Sequence, residues 1–303
     1  MNLKCAYINE INNGPRGVTI ATGTPVSNSM CEMYVMQKYL QREELERLNM
    51  HHFDNWSANF GEVVSALELA PSGQGYRTKE RFAKFVNLPE LMTLYYKIAD
   101  VQTAEMLKLP VPDIKGGKPT TISVDPSPEL RAYTDTLVKR AEMIHLRKVE
   151  PEDDNMLVVT NDGRNAALDM RCIDPAMPDY PDSKVNICIN KIYEIYRETT
   201  DKKLTQMVFS DLSTPKNGRS FSVYDDIKVK LIRMGVKPSE VAFIHEADTD
   251  EKKERLFSAV RRGEVRVLLG STQKMGAGTN AQTKLIALHH LDCPYRPAEA
   301  GQT

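Results

Sequence analysis

Residues 181–303 alternate between amphipathic helical patterns and short apolar runs, and this alternation is the strongest constraint on the fold. The apolar runs are TQMVFS, EVAFI, VRVLLG and LIALHH, the last of which follows a glycine-rich loop. Helices that alternate with such runs predict a parallel sheet covered on both faces, with right-handed crossovers. We therefore predict an α/β fold with a RecA-like or Rossmann-like lobe over residues 181–303.

Signals at the helix ends support this prediction. Ser183 and Asp248 precede helical patterns as expected N-caps, and Gly235 and Gly263 follow them where a left-handed residue ends a helix. Ser127 before Pro128 predicts another helix start. That helix has an apolar stripe at helical spacing, formed by Leu130, Tyr133, Leu137, Ala141 and Ile144.

The rest of the chain is divided into two further predicted regions. Residues 41–180 are rich in helical patterns, are interrupted by prolines and glycines, and are predicted to form a helix-rich accessory region. Residues 1–40 contain the predicted strand GVTIA, the turn TGTP and a helix from about Ser27 to Leu40. One strand and one helix cannot bury a core, so we expect residues 1–40 to complete a first α/β lobe that starts outside this sequence.

Composition excludes several classes of protein. The 40 basic and 41 acidic residues nearly cancel, so any contact with DNA must come from a local surface. The five cysteines form no C-x-x-C pair, which argues against a zinc ribbon or a disulfide framework. Since no apolar run reaches about 18 residues and the opening residues lack a signal-peptide pattern, we expect no membrane association and a cytoplasmic localisation.

Three short motifs could carry chemistry. TGTPVSN spans residues 22–28, and taken alone its Thr24 and Pro25 form an ordinary helix start. FSDLSTPK places Ser210 and Asp211 at the carboxyl end of a predicted strand, where parallel sheets bind ligands. GSTQKMGAGTN spans residues 270–280, and its glycines would let backbone amides approach a phosphate closely.

Other candidate sites are rejected on sequence grounds. GAGTNA resembles a dinucleotide fingerprint, but its glycines come late after the strand and a strand follows instead of a helix. The sequence contains no G-x-x-x-x-G-K-[ST] loop. The pairs His51–His52 and His289–His290 are interpreted as structural and not as metal ligands, because neighbours on a strand point to opposite faces. No local signature supports a nucleophilic triad.

Taken in order, the three motifs and the stretches around them resemble a known family. TGTPVSN, FSDLSTPK, FIHEADTDEKKERLFSAVRRGEVRVLLGSTQKMGAGTN and LDCPYRPAE are similar to motifs III, IV, V and the approach to VI of superfamily 2 helicases and DNA translocases of the Swi/Snf type. The similarity covers nearly the whole chain. It extends to the helicase part of large phage and conjugative-element proteins that also carry an N6-adenine DNA methylase.

The resemblance implies a motor in which two RecA-like lobes bind ATP and Mg²⁺ between them and move along double-stranded DNA. This chain would supply the second lobe, at 181–303, and the end of the first, at 1–40. Gly23, Thr24 and Pro25 would couple the nucleotide site to the DNA. The residues implied at the nucleotide or interlobe site are Gly276, Gly278, Asn280 and Gln302, and those implied at the DNA backbone or a phosphate are Ser210, Ser271 and Thr272.

The sequence departs from the family in what the motor needs for hydrolysis. The phosphate-binding loop and the acidic Mg²⁺ motif that precede TGTP in the family are absent, and the sequence ends before the motif VI arginines. Such arginines contribute about 10³ to 10⁵ in turnover. We therefore expect no complete catalytic set, no tightly bound cofactor and no activity in the isolated chain. Its expected partners are duplex DNA, the missing first lobe and an adenine DNA methylase domain of the same polypeptide.

Two alternatives to the motor stay open at this point. The chain could be a non-catalytic DNA-binding or assembly module, a reading that the lone strand and helix at the N-terminus disfavour. It could also be part of a DNA adenine methylase, which depends only on the neighbouring domain in the family. ATP hydrolysis stimulated by DNA separates the motor from both alternatives.

Overall fold

The structure is a computed structural model that describes residues 1–14, 16–26, 29–69, 76–107, 113–215, 221–276 and 281–293. These residues form two compact units, one up to Thr120 and the other from Thr121. Each unit has its own hydrophobic core, so each is described by itself.

The first unit consists of short helices and a two-stranded antiparallel ribbon. Its helices are α1 (Asn2–Ile11), α2 (Cys31–Leu40), α3 (Arg42–Arg47), α4 (Phe53–Phe60), α5 (Leu88–Tyr96) and α6 (Ala104–Leu107). The ribbon pairs β1 (Gly61–Leu69) with β2 (Tyr76–Phe85).

The core of the first unit is built around Trp56, which is fully buried. The indole Nε1 of Trp56 donates a 2.7 Å hydrogen bond to Oε1 of Gln37, whose side chain is also fully buried. A buried indole N–H needs such an acceptor, because leaving it unpaired costs about 1–3 kcal/mol. Helix α2 therefore shares one core with α4 and α5; the buried members are Met33, Tyr34, Leu45, Met50, Trp56, Phe60, Leu91 and Tyr95.

Several sequence predictions for the first unit were wrong. GVTIA, at residues 17–21, forms no strand. The helix predicted from about Ser27 to Leu40 is present as α2 from Cys31 to Leu40, and Ser27 lies outside the described residues. Helix α1 and the β1–β2 ribbon were not predicted at all. The reason is that a short apolar run becomes a strand only when a neighbouring strand supplies its hydrogen bonds, and local pattern does not reveal that neighbour.

The second unit contains a parallel sheet and the longer helices. Its helices are α7 (Pro128–His145), α8 (Met156–Leu168), α9 (Lys184–Glu198), α10 (Val223–Arg233), α11 (Asp250–Arg262) and α12 (Thr272–Met275). Its strands are β3 (Thr205–Phe209), β4 (Val241–Phe243), β5 (Val267–Gly270) and β6 (Leu285–His290).

The four strands are all parallel and lie in the order β4-β5-β3-β6. Alternate residues of the central strands face opposite cores, as the two-residue period of a strand requires. Val208 and Leu269 face the core that includes α9 and α10, whereas Met207 and Leu268 face the core that includes α11. The predicted α/β class, with a parallel sheet flanked by helices, is thus confirmed.

The helix ends in the second unit mostly follow the predictions. Ser127 and Ser183 accept backbone hydrogen bonds as N-caps of α7 and α9, and Gly263 ends α11 at φ +76°. The prediction of Asp248 as a cap was wrong. Thr249 caps α11, and its hydroxyl accepts a hydrogen bond from the backbone N of Lys252. The sequence offers two adjacent capping residues and cannot choose between them.

Helices α7 and α8 belong to the same compact unit as the parallel sheet. The predicted division of the chain into regions 1–40, 41–180 and 181–303 stays a prediction. Among the described residues, no helix combines the length and the apolar character needed to cross a membrane.

Candidate functional site at the carboxyl edge of the sheet

The carboxyl ends of β3, β5 and β6 bring two of the sequence motifs to one edge of the sheet. Ser210 and Asp211 follow β3, Ser271 and Thr272 follow β5, and Asp292 lies just after β6. Because parallel strands all end at the same edge, residues far apart in sequence meet here.

The carboxylate of Asp292 joins the loop after β6 to the turn after β3. Its oxygens accept hydrogen bonds from the hydroxyl of Ser210 at 3.2 Å and from the backbone N of Asp211 and of Leu212, both at 2.9 Å. One ionised carboxylate can accept several such bonds, and each is stronger than a bond between neutral groups. Asp292 therefore holds the Ser210–Leu212 turn in one conformation.

The carboxylate of Asp211 continues this connection to the third loop. It accepts a 2.7 Å hydrogen bond from the backbone N of Thr272, the first residue of α12. We call Asp211 and Asp292 the carboxylate bridge, since together they join the loops after β3, β5 and β6. Hydrogen bonds thereby join the three loops to one another.

Tyr224 holds the same turn from the side of α10. Its hydroxyl donates a 2.5 Å hydrogen bond to the carbonyl oxygen of Ser210. Burial raises the pKa of Tyr224, and the nearby carboxylates of Asp292 and Asp211 raise it further. The phenol is therefore protonated at any physiological pH and always able to donate.

Two cations lie beside the loop after β6. Arg164 of α8 donates a 3.0 Å hydrogen bond from Nη2 to the carbonyl oxygen of Cys293. Burial lowers the pKa of Lys184, at the start of α9, while the carboxylate of Asp292 raises it and Arg164 lowers it. Near Asp292 the sheet edge thus carries both the two carboxylates of the bridge and the side chains of Arg164 and Lys184.

The structure shows the surroundings of the predicted DNA-backbone residues without testing their roles. Ser210 is only 3% exposed, and its hydroxyl is 3.1 Å from the carbonyl oxygen of Leu212 as well as bonded to Asp292. Ser271 is also buried and occupies the N-cap position of α12. A direct phosphate contact by the Ser210 hydroxyl would require this turn to open.

The predicted nucleotide residues are only partly within the described part of the chain. Gly276 lies at the end of α12, where its backbone N donates to the carbonyl oxygen of Thr272 at 2.7 Å. Gly278, Asn280 and Gln302 lie outside the described residues, so their predicted roles stay predictions.

The predicted coupling residues Gly23, Thr24 and Pro25 lie in the first unit, in an exposed turn. The backbone N of Thr24 donates a 3.1 Å hydrogen bond to the hydroxyl oxygen of Thr22. A Cβ atom added to Gly23 would meet no atom within 4 Å, and the backbone there is not left-handed. Nothing in the packing of this turn therefore requires a glycine.

Comparison with known proteins points to the first unit. Residues 1–103 match a family model described as "Probable helicase domain". This part of the chain is helicase-related. The match includes the Gly23–Pro25 turn and the β1–β2 ribbon, whereas the parallel sheet lies beyond it. No curated protein matches the chain.

The histidine pairs differ from each other in structure. His289 and His290 lie on β6, as predicted: His289 Nε2 is 2.9 Å from Oε1 of Gln206, and His290 stacks on Phe209. The premise for His51 and His52 was wrong, since neither lies in a strand and their rings are 4.1 Å apart. Among the described residues no group of three or more His, Cys, Asp or Glu side chains is placed to hold a metal ion.

Sequence reasoning missed the residues that organise this edge. Asp292 is part of the stretch LDCPYRPAE and was not singled out as a site residue. It lies directly after a predicted strand, and parallel sheets bind ligands at the carboxyl ends of their strands. His245, after β4, was also missed; burial lowers its pKa and the ammonium of Lys274 lowers it further. Its proximity to Lys274 depends on β4 and β5 being neighbours, which the sequence does not state.

Proposed function

We propose that this chain works as part of a DNA-dependent ATPase of the helicase or translocase type, which moves along double-stranded DNA. The observation that carries the proposal is the match of residues 1–103 to a probable helicase domain. Support comes from the order of the motifs after it, and from a parallel sheet whose carboxyl edge carries FSDLSTPK and the start of GSTQKMGAGTN.

In this proposal the second unit is the second RecA-like lobe of the motor. Gly276, Gly278 and Asn280 would face ATP and Mg²⁺ held mainly by the other lobe. Ser210, Ser271 and Thr272 would lie on the DNA side of the same edge. The carboxylate bridge connects the loops that carry these residues, because Asp211 bonds to Thr272 at the start of α12 while Asp292 bonds to Ser210.

The remaining parts of the motor would come from the rest of the polypeptide. We propose a first RecA-like lobe with a phosphate-binding loop, and an adenine DNA methylase domain of the kind found in large phage and conjugative-element proteins, acting in the cytoplasm of a bacterial cell. Gly23, Thr24 and Pro25 would belong to the coupling motif between lobes. The isolated chain is expected to show no ATP turnover.

The test is ATP hydrolysis by the native polypeptide, purified from source cells with an antibody raised against this chain. Phosphate release is measured with Mg²⁺ alone, with duplex DNA and with single-stranded DNA, and chelation of Mg²⁺ serves as the control. We expect duplex DNA to accelerate hydrolysis severalfold. A polypeptide that hydrolyses ATP at the same rate without DNA contradicts the proposal, and one that binds DNA without turnover is a non-catalytic module.

A further inference from the structure

The β1–β2 ribbon is a long, open element. Its two antiparallel strands pair from Gly61 with Phe85 to Leu69 with Tyr76. Nine or ten residues at about 3.4 Å each extend roughly 30 Å. Among the residues that the structure describes, no third strand joins this sheet. Within the described residues, the outer backbone groups of both strands therefore have no strand partner.

The base of the ribbon packs against the first unit. Phe82 and Phe85 contact Trp56 edge to face, with ring centroids 6.3 and 6.5 Å apart. The backbone N of Val86 donates to the carbonyl oxygen of Phe60 at 2.9 Å. Farther along, Val63 and Leu67 are 63% and 69% exposed. A two-stranded ribbon is marginally stable alone, so such exposed apolar residues indicate a surface that is covered in use.

The charge of the ribbon is divided between its strands. β2 carries four basic residues and one acidic residue, whereas the charged residues of β1 are two glutamates. Lys79 is exposed and makes no hydrogen bond or ion pair with any described residue, and Lys84 lies 3.9 Å from Glu62 with both side chains exposed. An ion pair this long and exposed contributes almost nothing, so the charges of Lys79 and Lys84 stay available to a partner. In α3, by contrast, Arg42 and Arg47 both bond to glutamates.

We propose that the ribbon binds the phosphate backbone of nucleic acid along its β2 edge. Lys79 and Lys84, which pair with Ala66 and Glu62 and so lie on one face of the ribbon, would neutralise phosphates. β-ribbons are among the elements that bind nucleic acid grooves, and lysine contacts release counterions from the phosphates. The choice of nucleic acid as the polyanion rests on the proposed function, and the nearly neutral chain makes a local positive edge necessary.

The experiment compares the unaltered chain with the double variant Lys79→Glu/Lys84→Glu. Binding of a short labelled duplex, and of one of its strands alone, is measured by fluorescence anisotropy across a series of salt concentrations. We expect the variant to bind about tenfold or more weakly at low salt. The slope of log K against log salt should fall by about 2 for duplex DNA, since each lost phosphate contact removes about 0.9.

The matched control is Lys202→Glu/Lys237→Glu, which changes the net charge equally. Lys202 and Lys237 are exposed and lie before the amino ends of β3 and β4, away from the proposed carboxyl edge. We expect this control to bind as the unaltered chain does. Lys79→Gln/Lys84→Gln should show an intermediate loss, and circular dichroism should show that each variant is folded.

Three results would overturn the ribbon proposal. They are equal losses in both double variants, no loss in the ribbon variant, and no binding of either nucleic acid by the unaltered chain. If the ribbon variant self-associates more than the unaltered chain but binds DNA equally well, the lysines instead prevent the edge of the ribbon from pairing with another copy of the chain. None of these results bears on ATP hydrolysis by the native polypeptide, so failure of the ribbon proposal is distinguishable from failure of the proposed function. Tighter binding to the duplex than to the single DNA strand would support binding of the ribbon to double-stranded DNA.

Discussion

At the residue scale, the carboxyl edge of the sheet depends on side chains that the motifs do not highlight. Asp292 accepts three hydrogen-bond donors from the turn after β3 and thereby decides the conformation in which Ser210 is held. The hydroxyl named by the motif is itself nearly buried. The function proposed for this edge therefore depends on the bridge as much as on the motif residues.

Removal of the Asp292 carboxylate is expected to destabilise the second unit. Asp292→Ala leaves the backbone N–H groups of Asp211 and Leu212 without their acceptor, which should lower the free energy of unfolding by about 1–3 kcal/mol. Urea unfolding followed by circular dichroism measures the change. Asp201→Ala, at an exposed position before β3, should change it by less than about 0.5 kcal/mol. Equal effects of the two substitutions would show that the bridge contributes no stability.

His289 is expected to make stability depend on pH. Burial, and to a smaller extent the neighbouring His290, lower the pKa of His289 to about 4, while an unfolded histidine titrates near 6.5. The unfolded chain therefore binds the proton more strongly, and His289 contributes stability above pH 6.5 that is lost as the pH falls towards 4. The loss should reach about 3 kcal/mol.

The measurement is urea unfolding at a series of pH values between these limits. His289→Gln should flatten the decline, whereas His145→Gln, at an exposed position in α7, should leave it unchanged. An identical decline in the His289 variant and the unaltered chain would show that other groups cause it.

At the element scale, helix ends are set locally where one residue type satisfies a backbone need. Ser127 and Ser183 cap α7 and α9 because their hydroxyls accept an otherwise unpaired N–H. The ribbon shows the opposite case, since β1 and β2 depend on each other's backbone. Capping can therefore be predicted from a few residues, whereas strand pairing cannot.

Two glycines should respond oppositely to alanine. Gly263 has φ +76°, and an added Cβ would collide with the backbone oxygen of Lys203, so Gly263→Ala should cost about 1–3 kcal/mol. Gly163 lies inside α8, where a Cβ would make only an ordinary 3.5 Å contact with Leu137. Gly163→Ala should stabilise the chain by up to about 1 kcal/mol. Chemical denaturation compares them, and destabilisation by both would refute the distinction.

At the scale of the whole molecule, the chain is divided into two units with separate cores. The single tryptophan, Trp56, lies in the core of the first unit. Its fluorescence therefore reports on that unit, while circular dichroism reports on both.

Independent unfolding of the two units is expected from their separate cores. Leu269→Ala removes a buried side chain from the second core and should cost about 2–5 kcal/mol there. The urea midpoint from circular dichroism should fall while the Trp56 fluorescence midpoint stays the same. Met50→Ala, in the first core, should lower the Trp56 fluorescence midpoint, while the part of the circular dichroism change that comes from the second unit keeps its midpoint. Coincident shifts in both signals would show that the units unfold together.

Coupling between the nucleotide and DNA sites is a property of the complete motor. Gly23→Ala should leave the fold intact, because no atom lies within 4 Å of the added Cβ. If Gly23 belongs to the coupling motif, the substitution in the full polypeptide should reduce the stimulation of ATP hydrolysis by DNA at unchanged DNA affinity. Lost affinity with normal stimulation would place Gly23 in DNA binding instead.

The sequence by itself determined the α/β class, the longer helices and the strands of residues 181–303, and most of their ends. These features arise from periodicity and from residues such as Ser183 and Gly263, whose effects are confined to a few neighbours. Only the tertiary structure shows that β1 pairs with β2, that GVTIA forms no strand and that Asp292 bonds to Ser210. Those features depend on hydrogen-bond partners up to 82 residues away along the chain, and a local pattern does not encode which distant backbone will supply them.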